Sequence, residues 1–203
     1  MERTSLRTRS LRWLRWGLAA LVAIYALYLI AGNVFLNTAL GEKTLNRKPE
    51  RFQMHWASGH TWWPGRISLR EVVLQGQSRR IAWEARAQHV EGRIALWPLL
   101  SRRLHVPQVR ADEVRGGVRR VARELAPPPP REGGWELQFD RIASESIQRA
   151  SFDGFELAGA GRGEVSFYKQ LRGGPMELMP STVGFSSARL VRDGDEMLRD
   201  ATL

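Results

Sequence analysis

The chain has 203 residues, 31 of them basic and 21 acidic, a formal net charge of +10 and no cysteine. The missing cysteine excludes disulfides, Cys-ligated zinc and thiol catalysis together, so any fold must stand on packing. Five arginines against one glutamate lie before Trp16, so the rest of the chain carries a surplus of only six, too little to call for nucleic acid as a partner.

Residues 1–15 are a basic flank, with Arg3, Arg7, Arg9, Arg12 and Arg15 against Glu2. Residues 16–36, WGLAALVAIYALYLIAGNVFL, carry no charge. They match the roughly 20 apolar residues that cross a bilayer and exceed the roughly 7–15 of a signal-peptide core. Leu18, Leu21, Val22, Ile24, Leu27, Leu29, Ile30, Val34 and Phe35 alone favour insertion by about 3–5 kcal/mol. No A-x-A-like exit follows Ile30, and Asn33 and Asn37 stand where such a helix would meet headgroups. The segment is therefore expected to be a transmembrane anchor. Arginine resists translocation, and the N-terminal arginines lie closer to the span than Lys43, Arg47, Lys48 and Arg51. The expected orientation has the N-terminus in the cytoplasm and the bulk of the chain beyond the membrane. Trp13 and Trp16 fall at interfacial depth, whereas Tyr25 and Tyr28 fall mid-span.

Residues 37–50 read as a linker, and residues 51–203 as one β-rich domain. Phe52, Met54 and Trp56 alternate with Gln53, His55 and Ala57, and Ser58-Gly59 reads as a turn. Pro64-Gly65 predicts another turn before Ile67, Leu69, Val72 and Leu74. Apolar parity switches at Arg70-Glu71, the signature of a bulge. Gln75-Gly76-Gln77 is expected to end that strand. In Arg80–Gln88, Ile81, Trp83, Ala85 and Ala87 form one face and charged or amide residues most of the other.

Pro98 to Leu104 suits a short helix, and Val118, Val121, Ala122 and Leu125 have the spacing of a second. APPPPREGG at 126–134 predicts a protruding loop or hinge. Trp135, Leu137 and Phe139 resume the alternation. Gly159, Gly161 and Gly163 suggest a wide turn, and Asp193-Gly194 a hairpin turn in a last strand pair over 187–203. The expected fold class is mainly β: an N-terminal transmembrane helix, then a curved antiparallel sheet, groove or half-barrel, with one or two short helices.

No catalytic arrangement stands out, and the chain is not expected to be an enzyme. His55, His60, His89 and His105 lack metal-ligand or relay spacing, Ser58 is not in a G-x-S-x-G elbow, and GAGRG at 159–163 is not followed by the residues of a phosphate loop. No cofactor or metal is expected. Strands with one apolar side must cover it, by another sheet, by curling, or with acyl chains. Phe52, Met54, Trp56, Ile81, Trp83, Trp135, Leu137 and Phe139 are the candidate lipid-contacting residues. A basic domain beside a bilayer favours lipid as the partner. An exposed last strand is a route to other envelope proteins.

The anchor, the turn-and-strand Gly65-Arg66-Ile67-Ser68-Leu69-Arg70-Glu71-Val72 with Leu74 and Gly76, Val90-Glu91-Gly92-Arg93-Ile94, and Leu96–Leu104 (LWPLLSRRL) leading into Val109-Arg110-Ala111 form a pattern over residues 10–120. It resembles the start of AsmA-like envelope proteins of AsmA and TamB type, bacterial relatives of the bridge-like lipid transfer proteins. The resemblance implies a single-pass anchor in the inner membrane of a Gram-negative bacterium and a periplasmic β-groove whose apolar lining shields phospholipid tails. Members of that family are commonly several times longer, so it further implies a stacked module or a regulator of a longer partner. Gly59–Gly65 also loosely resembles the Gly-x-x-Trp-x-Gly turn of the short type II secretion protein N, which implies an assembly component instead.

Overall fold

The computed structural model describes residues 3–126, 133–171, 174–193 and 195–202. Helix α1 runs over Arg3–Asn37, and its stretch Trp13–Asn37 is long and apolar enough to cross a membrane. The expected linker contains a further helix, α2 (Ala39–Leu45).

Beyond it the chain forms one ten-stranded sheet. Its strands are β1 (Phe52–His55), β2 (Ser58–His60), β3 (Arg66–Ala95), β4 (Arg103–Asp112), β5 (Val114–Leu125), β6 (Glu136–Phe152), β7 (Phe155–Gln170), β8 (Met176–Leu178), β9 (Thr182–Arg192) and β10 (Asp195–Ala201). The class is mainly β, as the alternation predicts. Ser58-Gly59 begins a strand rather than a turn. Pro98–Leu104 is reduced to a 3-10 helix over Trp97–Ser101. The helix expected at 118–125 is absent: Val118 and Leu125 lie in β5, where a register shift against β3 between Arg79 and Ile81 imitates helical spacing. Gly159, Gly161 and Gly163 lie inside β7. At Gly161 a Cβ would sit 2.6 Å from the Phe185 ring, so the glycine makes room for that buried aromatic. Of the expected Asp193-Gly194 turn, Asp193 has φ +50 and Gly194 lies outside the described residues.

β3 is continuous extended backbone that doubles back near Arg79 (φ +52), two residues past the expected stop at Gln77. The Gly65 carbonyl accepts from the Ile94 amide at 2.6 Å, Gly92 lies against Ile67, and Gly76 lies beside Trp83. β1 and β2 pair with its first arm, β4 and β5 with its second.

The sheet is mixed rather than wholly antiparallel. Arg103 pairs with Glu136 and Val118 with Phe152 in parallel register, so β6 starts again at the end where β4 began. This bounds the shape. The ten peptide steps from Ala126 to Glu136 span at most about 36 Å, whereas β4 and β5 laid straight would measure about 70 Å. The sheet must therefore arc, as a groove or half-barrel does. Part of the predicted proline-rich loop, residues 127–132, lies outside the described residues.

The arc has a visible cause. Leu69 and Val72 in β3, Ser144 and Ile147 in β6, and Phe185 and Ala188 in β9, with Ala111 and Val114 across the junction of β4 and β5, are buried or half-buried pairs three residues apart, a spacing that switches strand parity between them. Glu71 (φ +53), Glu113 (φ +52) and Ser187 (φ +52) adopt left-handed backbone within three of those steps, and the fourth coincides with a register shift between Ser144 and Ile147. Val90 pairs with Ala111, Val114 with Ile147, Ile147 with Gly161 and Gly161 with Phe185, so the kinks line up strand by strand into a crease. The expected bulge at Arg70-Glu71 is the first of them.

Candidate functional site

Which side chains share a face follows from register. Phe52 pairs with Gly76 and Met54 with Leu74, and Trp83 reaches over Gly76 to stand 6.1 Å from the Phe52 ring. From Trp83 a row crosses the sheet through Val118, Phe152 and Phe155, ending where the Arg192 guanidinium lies 4.9 Å over the Phe155 ring. Beyond the crease a second row joins Val106, Phe139, Phe167 and Leu178, with Phe139 and Phe167 stacked at 4.7 Å. Leu137 continues it beside Leu104.

Most of this apolar face has no second layer over it. Among the described residues only Trp56, Leu69, Val72, Val106, Leu125, Phe185 and Ala188 are buried hydrophobics. A sheet of this size closed against a partner layer would bury far more. Phe152 is 60% exposed and Ile81 49%; Phe52 and Trp135 are also exposed, and Met54, Trp83, Leu137 and Phe139 are half-buried. Seven of the eight candidate residues thus keep accessible surface, although Met54 also packs against the buried cluster of Trp56, Leu69 and Val72. Trp56 is the correction. It is buried with Leu69 and Val72, its indole N–H donates to the Leu36 carbonyl at 2.6 Å, and its ring packs on Gly41 of α2, so it is a core residue and not a lipid contact. Gly41 is required there, since a Cβ would fall 2.5 Å from the Phe35 carbonyl oxygen.

The opposite face is polar. A depression of about 570 Å3 has Gln53, Gln75, Glu84, Arg86, Arg115 and Arg149 in its lining, together with Gly76, Gly116, Gly117, Trp83 and Val118. Arg86, Arg115 and Arg149 stand side by side on three strands. Such a row repels itself unless each charge has an acceptor. Glu84 serves Arg86, Gln148 serves Arg115 at 2.7 Å, and Glu156 serves Arg149 at 3.2 Å. At the far wall His105 meets Asp140 at 2.6 Å. Burial pushes the Asp140 carboxyl up, but hydrogen bonds from His105 and Gln138 outweigh it and hold its pKa below the ordinary 3.8.

One grouping resembles a hydrolytic triad. Ser68 Oγ lies 3.5 Å from His89 Nε2, and Glu91 lies 3.3 Å away. Both contacts use the same ring nitrogen, so no proton can be relayed through the imidazole, and Ser68 is buried. Among the described residues no group of three or more His, Asp or Glu side chains could hold a metal ion.

The contacts that sequence reasoning missed join α1 to the sheet. Asn33 exchanges two hydrogen bonds with the Thr61 backbone, each 3.1 Å. Asn37 does the same with Gly59 at 2.5 and 3.2 Å. Four residues on a helix rise about 6 Å and two on a strand about 6.6 Å, so the two amides fit alternate residues of a strand edge. Tyr28 Oη accepts from the Gly65 amide at 3.1 Å and meets Thr61 Oγ1 at 3.2 Å, while the Tyr25 hydroxyl donates to the Trp62 carbonyl. Gly32 allows this approach, because a Cβ there would lie 2.8 Å from the Thr61 methyl. The available signal was the presence of two tyrosines, two asparagines and a glycine in an otherwise oily span. No protein-family model matches the sequence, and no curated protein matches it either.

Proposed function

We propose that the chain is a membrane-anchored envelope protein whose apolar sheet face holds phospholipid acyl chains, as part of lipid handling or transport between inner and outer membranes. In this reading α1 spans the inner membrane with its N-terminus in the cytoplasm, and the sheet stands in the periplasm as an AsmA-like β-groove. One observation carries it: a single, arced sheet presents rows of aromatic and aliphatic side chains that no layer covers among the described residues. Each chain methylene shielded there contributes about 0.8 kcal/mol, so an acyl chain is a natural cover for such a face.

Leu36 and α2 are part of the core, so the test uses the whole chain. A photo-crosslinking residue at Phe152, on the apolar face, is expected to capture phospholipid in cells, whereas one at Arg119, which pairs beside Ala82 on the polar side, is not. Equal capture at both sites, or none at Phe152, refutes the reading.

A second reading, a scaffold component of an envelope complex such as a type II secretion system, is favoured by β10. It ends the sheet order, so its outer edge among the described residues is free to accept a strand from another protein. Cross-links from Arg199 to a co-assembled protein, with none to lipid at Phe152, would favour it.

A further inference from the structure

We propose that the Trp62-Trp63-Pro64 tip and the adjoining 3-10 helix Trp97–Ser101 are embedded in the bilayer that holds α1, as a second membrane contact beside the anchor. This rests on α1 being the anchor and needs nothing of the lipid-groove reading.

The depth of the tip is fixed by where it is tied along α1. Trp62 is tied to Tyr25 through its carbonyl, the Trp63 ring stands edge-on to the Tyr25 ring at 6.4 Å, and Gly65 is tied to Tyr28. If the membrane surface lay at Tyr25, only Trp16–Tyr25 would separate it from Arg15, ten residues where about 20 are needed to span. An α1 that spans must therefore carry the Trp62-Trp63 tip below the surface. With Asn33 among the headgroups, Tyr25 lies about 12 Å further in.

The chemistry of the tip fits that depth. Trp62 is 73% exposed, Trp63 64%, Trp97 84% and Leu100 79%, and the two segments adjoin because Gly65 bonds Ile94 and lies against Leu96. Rings and aliphatic side chains this exposed gain by leaving water for hydrocarbon. Irregular backbone survives at membrane depth only where its polar groups are bonded. Four of the seven backbone polar groups of residues 62–65 are bonded here: Tyr25 serves the Trp62 carbonyl, the Arg66 amide and Thr61 hydroxyl that of Trp63, Tyr28 the Gly65 amide and Ile94 the Gly65 carbonyl, while Pro64 has no N–H. The mid-span tyrosines thereby acquire a role: they supply in lipid the partners that water would supply outside it.

The chain has no native cysteine, so single-cysteine variants of the whole protein can be labelled with an environment-sensitive fluorophore and reconstituted in nanodiscs of zwitterionic and anionic phospholipid. Labels at Trp63→Cys and Trp97→Cys are expected to be quenched by lipid-borne nitroxide and shielded from aqueous iodide, like one at Val22→Cys in α1. A label at Ser78→Cys, at the opposite end of the strands, is expected to show the reverse. The Trp97 ring is so exposed that its replacement leaves the fold intact. Iodide quenching at residues 63 and 97 equal to that at 78 overturns the proposal, as does shielding from both quenchers, which would mean that protein covers the tip. Aqueous behaviour at Val22 as well would instead show that the anchor reading itself fails.

Discussion

Replacing Asn33 with alanine should release the β2 end of the sheet from α1. The Asn33 amide donates to the Thr61 carbonyl and accepts from its N–H, with Thr61 buried and Asn33 half-buried. A hydrogen bond contributes about 0.5–1.5 kcal/mol net, and a buried donor left unpaired costs about 1–3 kcal/mol, so losing this exchange should weaken docking by about 2–3 kcal/mol. That is about a 30- to 150-fold shift in the equilibrium between docked and open forms. Hydrogen exchange read by mass spectrometry on the reconstituted chain should show the amides of residues 59–65 losing protection by that factor. Val34→Ala, one position on and facing outward at 49% exposure, should leave it unchanged. Unaltered protection in Asn33→Ala, or an equal loss in both variants, would refute the claim that side-chain amides hold the strand to the helix.

Trp56→Ala should cost about 3–5 kcal/mol in denaturant titration, because it empties the buried cluster with Leu69 and Val72, whereas Trp97→Ala should stay within about 0.5 kcal/mol. Gly161→Val should lower the thermal midpoint clearly, since its Cβ would fall 2.6 Å from the Phe185 ring and 2.9 Å from the Ile147 carbonyl oxygen. For Asp140 the lowered native pKa means a contribution present above its ordinary value of 3.8 and lost as pH falls through the native value. Thermal melts followed downward from pH 5 should therefore fall less steeply in Asp140→Asn than in the parent; identical slopes would show that the carboxylate adds nothing.

Much of the architecture was legible in period-two runs, because a one-layer sheet leaves each strand with one oily and one wet side. Ile81, Trp83 and Ala85 announce their strand, and the parity switch at Arg70-Glu71 announces its kink. Other features were hidden for physical reasons. A bulge spaces apolar residues three and four apart just as a helix does, which is why Val118 to Leu125 read as helical. Glycines at 159–163 look like a turn until the ring of Phe185 is seen to need their missing side chains. Parallel pairing of β6 with β4 and β5 joins residues more than thirty apart and leaves no local pattern. Of the candidate site, the alternation in Phe52–Trp56 placed Phe52 on the open face, but could not show that Leu36 and α2 would come down on Trp56 and that Met54 would pack against the same cluster.

The aligned kinks have a consequence for how the sheet assembles. In a plain pleated sheet one strand can slide by two residues against the next and still present its oily side inward, so alternation alone leaves the alignment degenerate. A notch at a fixed place in neighbouring strands removes that freedom there, because a slide carries one notch out of line with the next and sets flat backbone against bent. Glu71, Glu113, Ser187 and the shift between Ser144 and Ile147 thus act as dowels, whose position, more than their chemistry, keeps the kinked strands in step.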